Sequence, residues 1–353
     1  MNKFVKRYLV DAMSGMAQGL FSSLLIGTII KTLGQQLLLL SDNAVFQFLV
    51  DAGSFASDAH VVGAAMAIGI GYAMSASPLV LFSLATVGSA ANISGGAGGP
   101  LAVLFIAIIA CEAGNFVSKK TKIDIIVTPL VTILSGILLT VLTAKYIGAL
   151  ASSFGNLIVW ATTLKPFVMG ILISCIVGIA LTLPISSAAI CAAFGLTGLA
   201  GGAAVAGCCA QMVGFAVLSF KENRWGGLLS QGLGTSMLQM PNIIKNPKIW
   251  IPPTFASLIT GPISTCLFKM EMNGAAVSSG MGTCGFVGQI GVITGWYSPS
   301  NTALLHNATP ITPSAFDWIG LIMICFVLPA VISYFTGILL RKINWIKEGD
   351  LTL

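Results

Sequence analysis

An all-α, polytopic transmembrane helix bundle is the fold class this sequence predicts, and three observations carry the prediction. Hydrophobic residues make up 56% of the 353, and charged residues only 8%, where a soluble domain carries about 25% charged residues. Several apolar stretches approach the roughly 20 residues that cross a bilayer as a helix. A Gly-rich break inside a long apolar run, followed one helix later by a short basic loop, occurs twice. The expected architecture is about ten spans with internal repeats and possible re-entrant Gly-rich hairpins.

Taken in order, the candidate spans are 10–31, 59–77, 79–97, 99–117, 125–144, 166–183, 185–200, 203–220, 251–268, 279–297 and 316–340. The pieces that follow Pro78 and Pro184 are rich in Gly, Ser and Ala and are the re-entrant candidates. Residues 43–57 and 146–162 are amphipathic and read as helices lying in the membrane interface, which carries such segments with their aromatic residues. Pro262 in TGPIS invites a kink, with Thr260 or Ser264 to satisfy the freed carbonyl.

The two copies keep one shift. Pro78 and Pro184 are 106 residues apart, as are Gly95-Gly96 and Gly201-Gly202. The repeat unit is therefore span, interfacial helix, span, broken piece, span. It divides the chain into a first repeat (1–124), a second repeat (125–250) and a partly repetitive segment (251–353), where SGMGTCGFVGQIGVI weakly echoes SGMAQGLFSSLLIGTI. Lys3, Lys6 and Arg7, Lys119, Lys120 and Lys122, Lys221 and Arg224, and Arg341, Lys342 and Lys347 flank the apolar runs. Excess Lys and Arg mark cytoplasmic loops, so both termini are expected in the cytoplasm. Residues 33–60 and 298–317, poor in basic groups, are expected outside. An even number of crossings between the two basic loops favours parallel repeats.

Composition also excludes function classes. The net charge of +6 is scattered through short loops and does not point to nucleic acid. No G-x-x-x-x-G-K-[ST] motif is present, so the chain does not hydrolyse ATP itself. The eight cysteines lie in apolar stretches without a C-x-x-C pair, and read as packing residues. His60 and His306 have no ligand partner at metal-site spacing. No metal, cofactor or catalytic residue is expected.

What remains points to a solute pathway. Lipid solvates no stray backbone polar groups, so a broken apolar helix must be buried in protein or line a cavity. Breaks in matching positions of two repeats mark a transporter's binding site. Gly95, Gly96, Gly201 and Gly202 are expected to present free backbone groups, with Asn92, Ser94 and Thr197 adding side-chain donors. Glu112, in PLAVLFIAIIACEAGNFV, is the sharpest single residue, because intramembrane carboxylates usually face a cavity or a partner. It is expected to accept hydrogen bonds from solute hydroxyls, with Asn115 one turn along. The competing reading places it at the cytoplasmic mouth, paired with Lys119 or Lys122. Gln211 lies at nearly the matching depth in the second repeat, and Gln289 is a further polar candidate in a late span. Glu271 reads as a membrane-boundary residue beside Lys269.

The stretches YLVDAMSGMAQGLFSSLLIGTIIKTLGQQ, SGGAGGP, FKENRWGGLLSQGLGTSMLQMPNIIKNP and SSGMGTCGFVGQIG resemble the phosphotransferase-system (PTS) IIC-like membrane proteins, of the type 2 branch that includes the perfringolysin-regulator-like proteins. The resemblance covers nearly the whole chain. It implies a bacterial inner-membrane permease for a small polar solute, most plausibly a carbohydrate, working by alternating access in the lipid bilayer and forming a homodimer. It also implies that phosphate reaches the sugar from separate cytoplasmic IIA and IIB proteins. This chain carries no IIB-like domain with a reactive Cys. Two other classes compete: a proton- or ion-coupled secondary transporter with Glu112 as carrier, and a non-transporting membrane sensor that regulates gene expression.

Overall fold

A computed structural model describes residues 3–353. Among the described residues the regular structure is helical, and the one β-bridge joins Gly198 to Met272. The chain forms two compact units, Met1–Ala151 and Ser152–Leu353. Five helices are long and apolar enough to cross a membrane: Lys3–Leu38, Pro78–Val117, Asp124–Thr162, Gly198–Leu218 and Ala315–Lys342. A sixth candidate is the pair Ala44–Ala56 and Ala59–Ala73, bent by 54°. The helical membrane class holds, while the count of about ten spans is not confirmed.

The first unit is an up-and-down bundle. Helix α1 (Lys3–Leu38) folds back into α2 (Ala44–Ala56), so that Gly27 faces Ala56 and Gly34 faces Val50. Asn43 caps α2, accepting from Val45 N at 2.9 Å, and Asp58 caps α3 (Ala59–Ala73), accepting from His60 N at 2.8 Å. Such caps satisfy N–H groups that a helix start leaves orphaned. Gly15 of α1 and Gly69 of α3 approach so closely that a methyl group on either would strike the other's backbone carbonyl. Pro78 then opens α4 (Pro78–Gly95), where its missing N–H costs nothing.

Gly96, at φ 52°, ends α4 and turns the chain into α5 (Gly99–Val117). The two arms form an antiparallel hairpin. At one end Gly95 lies against Ala102, and at the other Ser77 N donates to Asn115 Oδ1 at 3.2 Å. Arms of 18 and 19 residues are each about 27–28 Å long, close to a bilayer's hydrocarbon thickness. The first Gly-rich break is thus the tip of a full-length hairpin. Helix α6 (Asp124–Thr162) runs antiparallel to α5, with Thr132 against Gly114 and Ile147 against Gly98.

In the second unit the Pro184-led piece behaves differently. Helix α7 (Pro166–Thr182) lies parallel to α9 (Gly198–Leu218), because Gly207 packs on Ser174 and Gly178 on Gly207 and Gln211. The chain must therefore travel back the length of α7 between Thr182 and Gly198. It does so through α8 (Ser187–Ala193), only seven residues long, with non-helical flanks on both sides. This is a broken crossing where the first unit has an 18-residue helix. Both units nevertheless follow one path: a helix, a return, and a helix parallel to the first.

Helix α10 (Phe220–Leu229) and α11 (Met240–Lys245) follow, and α12 (Ile251–Pro262) packs antiparallel to α7 and α9. Residues 276–297, which include the candidate span 279–297, form a re-entrant hairpin instead. Its first limb is two short tight helices, Ala276–Gly280 and Cys284–Phe286. It turns at Gly282, Gly285 and Phe286, all with positive φ, and returns through α13 (Val287–Tyr297). Gly274 N donates to Gly291 O and Gly288 N to Gly282 O, each at 3.0 Å, which closes the hairpin. Eleven residues cover only about 17 Å as a helix, too little to span. After α14 (Asn301–Leu305), α15 (Ala315–Lys342) starts from a Ser314/Asp317 capping box and runs beside α9, Ser333 against Gly214.

Candidate functional site

Glu112 lies about three-quarters along α5, half-buried, and its partner is neither Lys119 nor Lys122. Arg7 of α1 donates to Glu112 Oε1 through Nε (3.0 Å) and Nη2 (2.8 Å), and the Tyr8 hydroxyl donates to the same oxygen at 3.1 Å. The basic N-terminal flank is thereby folded onto Glu112. All three bonds fall on one oxygen, and Glu112 Oε2 has no partner among the described residues. Asn115 is turned away from this group: Oδ1 takes the Ser77 N–H, and Nδ2 points at Cys111 Sγ, 3.6 Å away. Asn92 donates to Ala59 O at 2.8 Å and pins α4 to α3. At the hairpin tip Gly95 is buried, while Ser94 and Gly96 are exposed.

In the second unit the interrupted segments cross. Ser187 Oγ donates to Gly280 O at 2.7 Å, and a Cβ added to Gly280 would lie 2.5 Å from Ser187 O. Ser279 Oγ donates to Leu196 O at 2.6 Å. Gly282 rests on Cys208 and Thr283 Oγ1 on Met212 Sδ, so the hairpin reaches deep along α9. Gly201 and Gly202 make this approach possible. A Cβ on Gly201 would lie 2.8 Å from Ser279 Oγ, and one on Gly202 would strike Met270 O. Thr197 is buried just before Gly198, whose N–H and C=O pair with Met272 at 3.0 Å. The second pair of glycines thus admits backbone rather than presenting its own.

Gln211 of α9 is fully buried. Its Oε1 accepts from Trp250 Nε1 (2.9 Å) and Thr182 Oγ1 (3.3 Å), and its Nε2 donates to Thr254 Oγ1 (3.3 Å). Thr182 continues to Ser236 Oγ at 2.7 Å. Gln289 donates to Cys209 Sγ at 3.2 Å, and its buried Oε1 has no partner, an acceptor that ordinarily demands a bond. The sequence pointed to Gln211 and Gln289. It did not point to Thr182, Ser187, Ser236, Trp250 or Gly280, single small or aromatic residues that only the folded path brings together.

A second network escaped the sequence altogether. Gln231 Nε2 donates to Ser219 Oγ (2.7 Å), and Gln239 Nε2 to Gln231 Oε1 (3.0 Å) and Leu351 O (2.9 Å). Asn242 Nδ2 donates to Gln239 Oε1 (2.9 Å) and Thr352 O (2.8 Å), and Asn223 Nδ2 to Leu351 O (2.7 Å). Nearby, Arg341 Nη2 pairs with the buried Glu222 at 2.7 Å. This amide ladder fastens the end of the chain to the FKENRW…QMPNIIKNP segment; the run of Asn and Gln there was its signal.

No group of three or more His, Cys, Asp or Glu side chains that could hold a metal occurs among the described residues. Comparison with curated proteins finds no matching relative. The family model described as phosphotransferase system, EIIC, matches residues 10–353, with the broken crossing, the re-entrant hairpin and the amide ladder all inside that range. The chain belongs to the phosphotransferase-system EIIC family, and is an integral membrane permease of that type.

Proposed function

We propose that this permease moves a carbohydrate across the bacterial inner membrane by alternating access, both termini in the cytoplasm, with separate IIA and IIB proteins supplying phosphate. The observation that carries the reading is the crossing of Ser187 and Gly280. Two discontinuous segments meet beside α9, and discontinuous helices of this kind form substrate sites in transporters. Small hydroxyl-bearing residues (Ser187, Ser278, Ser279 and Thr283) cluster there, which suits a polyhydroxylated solute. The EIIC family assignment supports the sugar substrate and the IIA and IIB partners. A homodimer follows the same family pattern.

The test is uptake. The purified chain in proteoliposomes should take up one radiolabelled sugar saturably, and phosphoenolpyruvate with the IIA and IIB proteins should trap it as phosphate. Uptake that collapses with an uncoupler and ignores the phosphate donors would replace this reading with ion coupling.

A further inference from the structure

A recessed cavity of about 210 Å³ opens at the end of the second unit where α15 begins. Its walls are Phe268, Trp296 and Ile311, and its polar groups are Lys269, Glu271, Asn273 and Asp317. Trp296 is held edge-on by Trp318 at 4.9 Å, and Phe268 stacks near Phe316 at 5.0 Å. The aromatic walls are therefore fixed. Asn273 Nδ2 donates to Glu271 Oε2 at 2.8 Å, which orients that carboxylate. Asp317 Oδ2 is taken by the capping box with Ser314. That leaves Glu271 Oε1, Asp317 Oδ1, Asn273 Oδ1 and the Lys269 ammonium without a partner among the described residues. Lys269 pairs with neither carboxylate, although all three line one cavity.

We propose that this cavity binds a neutral, single-ring polyol. The free carboxylate oxygens accept from hydroxyl groups, Lys269 donates to one, and the Trp296 and Phe268 rings cover the C–H faces. A few convergent polar groups on apolar walls is the usual composition of a small-molecule site. Two carboxylates against one ammonium repel anions, so a phosphorylated sugar is excluded. A volume of about 210 Å³ has room for one sugar ring. The proposal rests on the carbohydrate reading, but assigns it residues outside the Ser187–Gly280 crossing. Asn273 lies three residues before Ala276, where the re-entrant limb begins. Arg341 and Lys342 lie at the far end of α15, so the cavity is on the face opposite that basic cluster, where the substrate enters.

Isothermal titration of the full chain in nanodiscs tests this, with glucose, galactose, mannose, N-acetylglucosamine and glucose 6-phosphate as probes. Glu271 and Lys269 are exposed, so Glu271→Gln and Lys269→Gln leave the fold intact. At least one neutral probe should bind and glucose 6-phosphate should not. Each substitution should weaken binding about tenfold, or about 1.4 kcal/mol. A neutral probe that binds both variants as tightly as the unaltered chain overturns the site and leaves the carbohydrate reading standing. Equal binding of glucose 6-phosphate overturns the site as well. Saturable uptake with no binding to this cavity separates the two claims in the same way, whereas failure of every neutral probe in both binding and uptake overturns both.

Discussion

Removing residues 351–353 should loosen the second unit by an amount the structure fixes. The deletion takes the Leu351 carbonyl from Gln239 and Asn223, the Thr352 carbonyl from Asn242, and the Leu353 N–H from Asn223 Oδ1. Four such bonds contribute on the order of 1 kcal/mol each, net of the water that replaces them. Leu351 is fully buried, and burying a Leu side chain is worth about 1.5–3 kcal/mol. The sum is about 6 kcal/mol, an upper value because the freed amides are rehydrated. Leu351→Ala keeps the carbonyls and removes only side-chain packing, worth about 2–5 kcal/mol. Thermal dispersity in detergent, followed by fluorescence-detected size exclusion with the fluorophore at the N-terminus, measures both. The deletion should melt several degrees below Leu351→Ala, which should itself melt below the unaltered chain. Coincident melting of all three would refute the claim that the tail is an anchor. Coincidence of the two variants alone would refute the role given to the amide ladder.

Gly280→Ala should abolish uptake while the protein still inserts, because its new methyl group meets the Ser187 backbone; Gly226→Ala, with nothing within 4 Å, is the control and should transport normally. Glu112→Gln removes the charge that Arg7 and Tyr8 address, and should reduce uptake of the substrate; unchanged transport kinetics would remove Glu112 from the pathway. Glu348, outside the spans, has its carboxyl held below the ordinary value of 4.5 by its hydrogen bond and charge attraction to Lys221. Its small contribution is therefore present above the ordinary carboxylate pKa and is lost as pH falls through the lowered one. A carbon-13 titration should show Glu348 returning to the ordinary range in Lys221→Gln.

The membrane class was legible because it rests on composition, and several helix boundaries because local chemistry enforces them. Pro78, Pro166 and the Gly95-Gly96 turn all act where the sequence placed a boundary. What the two Gly pairs do was not legible. Gly96 ends an 18-residue helix, whereas Gly202 is the fifth residue of α9 and faces the Met270 carbonyl. Identical letters at one shift serve a turn in one unit and close backbone packing in the other, and only the path of the following chain distinguishes them. Glu112 stood out because a carboxylate in apolar sequence needs a reason, yet its partner came from 105 residues away, beyond any local rule. The Glu271 cavity draws on four separated stretches and left no periodic trace.

The second unit makes with a seven-residue helix the journey that the first makes with eighteen residues of continuous helix. A continuous rod moves only as a whole, since bending it severs its own i to i−4 ladder. A short rod between extended strips can swivel at both ends and sacrifice few such links. The stretch 183–197 is therefore built as a joint, whereas Pro78–Gly95 is built as a rod.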